Sequence, residues 1–181
     1  KAFVQRPERR DVPVIVVNQG HNGERQRFTL AHELAHLVLR FSGLNDAEQE
    51  KAADRFAGAF LMAKDMVLRL LGPHRTSISI GELAELKKLF KVSIASLVVR
   101  CAQLGIVTKA VYGRLWAQIK DMGWNSQASN EPAALKAEVP LRMERLCMRA
   151  VAEGAISEAR AAELLNISVR ELDRRLMGQF A

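Results

Sequence analysis

The apolar residues follow two kinds of pattern. Val12 to Val17 (VPVIVV) is a continuous β-branched run bounded by Asn18-Gln19-Gly20 and Asn22-Gly23, which predicts a buried strand and then a turn. From Arg25 the period becomes helical. Phe28, Leu30, Leu34, Leu37, Val38 and Phe41 recur at three- and four-residue steps until Ser42-Gly43 stops the run. Asn45 then offers an N-cap with Glu48 three residues on, ahead of Ala53, Phe56, Ala57, Phe60 and Leu61. The short connection predicts an antiparallel helix pair.

Beyond Gly72-Pro73 a second helical group begins. Ser79-x-x-Glu82 reads as a capping box before Leu83, Leu86, Leu89 and Phe90. Ile94, Leu97, Val98, Cys101 and Leu104 mark the next helix, ended by Gly105, and Val111 to Met122 a third. Residues 125–140 are rich in Ser, Asn, Ala and Pro with little periodicity, so they are expected to be a linker. Two last helical stretches fall at about 141–152 and 157–177. The expected fold is α+β and mainly helical, with a short N-terminal sheet. The expected domains are 1–124 and, after the linker, a small helical module at 141–181.

Composition narrows this picture little. The 181 residues are 49% hydrophobic and 26% charged, enough for one packed core and a smaller one. Charged residues interrupt every apolar run before it could span a bilayer, so no membrane partner is expected. The chain opens on Lys1 with Arg6, Glu8, Arg9 and Arg10 close behind, unlike a secretory leader, and the missing initiator Met leaves room for residues upstream. Cys101 and Cys147 lie far apart and suggest neither a disulfide framework nor a thiolate metal site; a reducing cytoplasm fits them best. The net charge of +7 is compatible with an acidic partner or with an ordinary solvated surface.

The distinctive chemistry is His32-Glu33-Leu34-Ala35-His36. Histidines four apart on a helix share a face and can chelate one ion, and a catalytic zinc site keeps a position for water. Glu33 stands beside them as a general base, placed to take a proton from that water and pass it to a leaving amine. A third protein ligand is required. The extended pattern with a histidine six residues on fails, because positions 39 and 42 are Leu39 and Ser42. A carboxylate on the following helix is the alternative. Glu50 is expected as the ligand and Asp54, on the same face, as the acceptor of a ring N–H from a ligand histidine. Glu48 is the rival ligand but points off that face. His21 and His74 read as loop residues that could line a cleft.

Arg27-Phe28-Thr29-Leu30-Ala31-His32-Glu33-Leu34-Ala35-His36, joined to Glu50-x-x-Ala53-Asp54-x-Phe56-Ala57, resembles the ImmA/IrrE family of metallopeptidases over about residues 11–124. The resemblance implies a zincin-like core in a cytoplasmic peptidase that relieves repression by cleaving a helix-turn-helix transcriptional repressor. It implies Zn2+ on His32, His36 and Glu50, with Glu33 as base. Ala35 stands where the family commonly has glycine, and Ala63 where it commonly has proline. Arg100, the one charge within an apolar helix, either steadies an oxyanion in the cleft or ties two helices together.

Ser157 to Leu172 reads as helix, short turn, helix, the layout of a DNA-binding helix-turn-helix. Arg170, Arg174 and Arg175 would then reach DNA. Against this, residues 141–181 hold seven Arg and six Asp/Glu, and Glu171 and Asp173 sit on the recognition helix itself. Packing or substrate docking is the competing role. At the level of the whole protein, the alternatives to a peptidase are a non-catalytic regulator binding DNA or a repressor, or a toxin–antitoxin component built on the same zinc fold.

Overall fold

The computed structural model describes residues 4–5, 13–124, 131–132 and 134–178. The chain divides into two compact units, Lys1–Glu138 and Val139–Ala181. The first six residues of the expected linker, 125–130, lie outside the described residues, as does residue 133. The described part of the remainder, up to Glu138, falls within the first unit.

Strands β1 (Val4–Gln5) and β2 (Val14–Ile15) pair antiparallel, Val4 opposite Ile15 and Gln5 opposite Val14. Helix α1 (Gly23–Val38) begins at Asn22, whose side chain accepts from the Arg25 N–H at 3.0 Å. Helix α2 (Asp46–Leu61) carries the full capping box. The Asn45 side chain accepts from the Glu48 N–H, and the Glu48 carboxylate accepts from the Asn45 N–H. These caps satisfy backbone donors that the first turn leaves open.

The face on which α1 meets α2 differs from the one the large apolar residues predict. Leu30 and Val38 are exposed and so is Phe60, whereas Ala31, Ala35, Ala53 and Ala57 are fully buried. Alanines four apart on each helix give two flat seams, and flat seams let helix axes approach closely.

Among the described residues the first unit has four further helices: α3 (Lys64–Leu71), α4 (Ile80–Phe90), α5 (Ile94–Gln103) and α6 (Lys109–Asp121). Helix α3 has no counterpart in the sequence reading. These helices enclose the main core, with Val67, Leu71, Leu83, Ile94, Leu97, Val98, Leu115 and Ile119 almost wholly buried. Ser79 caps α4 as expected, but the Glu82 carboxylate pairs with Arg75 at 2.7 and 2.8 Å. Burial pushes the Cys101 thiol up to about 11, so it stays protonated at neutral pH.

Helix α1 is fastened to this core through charge. Lys87 of α4, 2% exposed, is paired with Glu24 of α1 and, at 2.9 Å, with Glu131. Residues 134–138 run against the start of α1. The Gly23 N–H donates to the Leu135 carbonyl at 3.0 Å, the Leu135 N–H to Glu24 at 2.9 Å, and the Glu138 N–H to Gln26 at 2.7 Å.

The second unit comprises α7 (Arg142–Ala152), α8 (Glu158–Leu165) and α9 (Val169–Leu176) around Cys147, Ala161, Ala162 and Leu172. Asn166 ends α8 in the left-handed conformation, φ 53°, which Asn tolerates better than most residues. The stretch expected at 157–177 is thus two helices and a short turn. Among the described residues no helix is long and apolar enough to cross a membrane.

Gly23 leaves no space for a side chain. A Cβ there would lie 2.6 Å from the Lys136 carbonyl oxygen and 2.9 Å from the Leu135 Cβ. We therefore predict that Gly23→Ala lifts the 134–138 segment and destabilises the protein by about 1–3 kcal/mol. Chemical denaturation checks this; unchanged stability would show that the segment does not grip α1.

Candidate metal centre

Residues 32 and 36 lie one turn apart on α1, and residues 50 and 54 one turn apart on α2. Contacts of His36 with Glu50, and of His32 with both Glu50 and Asp54, give the pair an antiparallel register. The alanine seam holds the helices close, so the flanking side chains converge. His32 Nε2 and His36 Nε2 are 3.2 Å apart. Glu50 places one oxygen 3.2 Å from His32 Nε2 and the other 3.3 Å from His36 Nε2.

These separations bear on what the group can hold. An ion bound tetrahedrally through bonds of ~2.0–2.2 Å sets its ligand atoms ~3.3–3.6 Å apart. The two ring nitrogens at 3.2 Å, with a Glu50 oxygen within 3.3 Å of each, are spaced as ligands of such a shell are. Among the described residues, His32, His36 and Glu50 are the group whose donor atoms could hold a metal ion.

Asp54 completes the arrangement from outside. Its Oδ1 lies 2.9 Å from His32 Nδ1. With the ring proton on Nδ1 donating to that carboxylate, Nε2 turns its lone pair toward the site. The same hydrogen bond raises the His32 pKa above the ordinary histidine value, against the opposing effect of burial. The His36 ring lies against Phe41, centroids 5.3 Å apart, which restrains its orientation.

The centre opens on two hollows. One, of about 520 Å³, is lined by His32, Glu33, Glu50 and Asp54 and continues past Thr29 and Phe28 to the start of α1, where Trp116, Trp124, Ser93 and Glu131 border it. The other, of about 670 Å³, takes in His36, Arg40, Phe41 and Gln49. Glu33 thus shares a cleft with His32 and Glu50, half-buried beside them.

Other residues singled out by sequence lie elsewhere. Arg100 is buried and donates its Nε–H to the Met62 carbonyl at 3.1 Å, joining α5 to the end of α2; burial lowers its pKa, and it does not border the cleft. His74 is exposed and outside both hollows, whereas His21 lines the first. Glu48 is taken up in the α2 cap. In the second unit Arg174 pairs with Glu171; Arg175 lies 2.9 Å from both Glu171 and Glu144, and Arg170 is exposed. Glu24, Lys87 and Glu131 escaped the sequence reading. The signal for Lys87 was present, since it occupies the apolar stripe of Leu83, Leu86 and Phe90. Glu131 gave none.

A helical domain with paired histidines and a carboxylate set for one metal ion is the class of site found in zinc-dependent hydrolases. The family model described as the IrrE N-terminal-like domain, a peptidase family, matches residues 2–102, more than half of the chain. The protein belongs to this ImmA/IrrE peptidase family. No curated protein and no solved structure gives a significant match.

Metal affinity should follow the protonation of His32. Proton and ion compete for Nε2, so affinity is full above the raised pKa and declines as pH falls through it, beginning above ~6.5. Asp54→Ala should weaken binding about 10- to 100-fold at pH 7.5. Competition titration with a chromophoric chelator measures both; an Asp54→Ala protein with full affinity would remove Asp54 from the site.

Proposed function

We propose that this protein is a zinc endopeptidase acting in the cytoplasm on a helix-turn-helix transcriptional repressor. The observation that carries the catalytic part is the mutual spacing of His32, His36 and Glu50 with Glu33 in the same cleft. The soft-to-borderline nitrogen donors and single carboxylate suit zinc better than calcium or magnesium, which prefer all-oxygen shells. The substrate class rests on membership of the ImmA/IrrE family.

Zinc, when bound, supplies Lewis acidity and brings a coordinated water toward a pKa of ~7. The chain's own residues do the rest. His32 and His36 come from a single rigid helix, so their relative placement needs no induced change. Asp54 fixes the His32 tautomer. Glu33 takes the proton of the attacking water and returns it to the departing amine nitrogen, so one carboxylate serves both halves of peptide hydrolysis. The cleft running along α1 gives an extended peptide a path across the reacting position.

Glu33→Gln keeps the size and hydrogen-bonding capacity of the side chain but removes its basicity. It should retain one metal per chain and lower kcat about 10²- to 10⁴-fold. The measurement is co-expression with helix-turn-helix repressors encoded beside it, with mass spectrometry of the cut products and metal analysis of both forms. Undiminished cleavage by Glu33→Gln would end this assignment of the base, and a protein that binds no zinc would end the reading as a whole.

A further inference from the structure

The end of the cleft away from the metal centre carries polar atoms that the fold leaves unused. Glu24 and Glu131 both line it and are 2% and 4% exposed. Each uses one oxygen within the fold. Glu24 Oε1 accepts from Lys87 and the Leu135 N–H, and Glu131 Oε2 accepts from Lys87 and the Ile94 N–H. The second oxygen of each, Glu24 Oε2 and Glu131 Oε1, is buried and without a partner among the described residues, and so is Nδ1 of His21 on the same wall. Burial, with Arg25 adding to it, holds His21 below the ordinary histidine range, so its ring is neutral at pH 7 and has a lone pair to offer.

Buried carboxylate oxygens without hydrogen bonds are costly, and two on one wall of one cleft call for a donor. Lys87 neutralises only one of the two formal charges. Across the whole cleft five carboxylates face one arginine, Arg25. Glu33, Glu50 and Asp54 belong to the metal centre; Glu24 and Glu131 do not. Phe28, Trp116 and Trp124 border the same space with flat apolar surface. Acceptors at the end and aromatic walls along the way match a cationic head on an aliphatic stem.

We propose that this end of the cleft is a specificity subsite for an arginine or lysine side chain of the substrate, recognised by Glu24, Glu131 and His21. The proposal rests on the peptidase reading of the same cleft and deepens it by naming what the substrate must carry. Glu24 precedes His32 by eight residues, ~12 Å along α1. An extended peptide covers that in roughly four residues at ~3.3 Å each. The basic residue therefore lies about four positions from the cut bond.

The test uses the full chain loaded with zinc and decapeptide pools, randomised except for one position fixed as Arg, Lys, citrulline or Glu. Binding is read by fluorescence anisotropy on the Glu33→Gln form and cutting by mass spectrometry on the wild type. Arg and Lys pools should bind about tenfold or more tighter than the citrulline pool, which has the arginine shape without its charge. Glu24→Gln and Glu131→Gln should erase that preference. Equal binding of Arg and citrulline pools by the unsubstituted subsite overturns the proposal without needing a variant that could misfold, and so does a preference that survives both substitutions in folded protein. Basic preference without cutting would keep the subsite and refute the peptidase; cutting without basic preference would do the reverse.

Discussion

The close contact of α1 with α2 governs the rest of the first unit, and it is made of alanine. Ala31 and Ala35 of α1 and Ala53 and Ala57 of α2 are all buried. A seam of such small side chains contributes modest apolar area, so its value lies in geometry rather than in hydrophobic energy. Metal sites tolerate ligand displacements of only ~0.2 Å. A single added methylene on this seam changes the helix separation by more than that. His32 and His36 need no help from tertiary structure to face the same way, but Glu50 reaches them only because the helices touch.

A second restraint acts at the other end of α1. Taking Lys87, Glu24 and Glu131 out of water costs several kcal/mol per ion, and their mutual attraction recovers it only when the geometry is good. An apolar trio could hold α4 against α1 at least as firmly. What the charged trio adds is position, since Glu131 also accepts from the first N–H of α5 and Glu24 accepts from Leu135. Three elements and one extended segment are pinned to a single ammonium group. The start of α1, and with it the far wall of the cleft, is thereby fixed relative to the core.

Four-residue spacing puts His32 and His36 on one stripe of α1 and Glu50 and Asp54 on one stripe of α2, and the structure brings these four side chains together; that much of the arrangement is legible in the period. The caps at Asn45 and Ser79 were visible for the same local reason. Burial follows size less closely than the period suggests: Ala53 and Ala57, members of the apolar pattern, are buried, while larger members are not. Leu30, Val38 and Phe60 are outside. The eight-residue α3 is too short for its period to stand out. Residues 134–138 have no period at all, since they are held by backbone and side-chain hydrogen bonds to α1, and such bonds leave no trace in side-chain pattern. The pairing of Arg174 and Arg175 with Glu171 was readable from three- and four-residue spacing.

The charge of the chain and the charge of its cleft have opposite signs, and this bears on how a substrate would be chosen. The 181 residues carry +7, a field that does not draw in a basic polypeptide. The cleft nonetheless presents five carboxylates, against Arg25 on its wall and Lys87 paired with Glu24 and Glu131. At physiological ionic strength exposed charges are screened beyond ~8 Å, whereas groups as buried as Glu24 and Glu131 are screened far less. Discrimination is therefore exerted only after a side chain has entered, over the last few ångströms. A transcriptional repressor rich in Arg and Lys would gain nothing from steering and everything from fit. An arginine on a folded helix of such a repressor cannot extend into the cleft, so the cut should require a segment that is already unfolded or can unfold locally. Selectivity of this kind depends on substrate flexibility as much as on substrate charge.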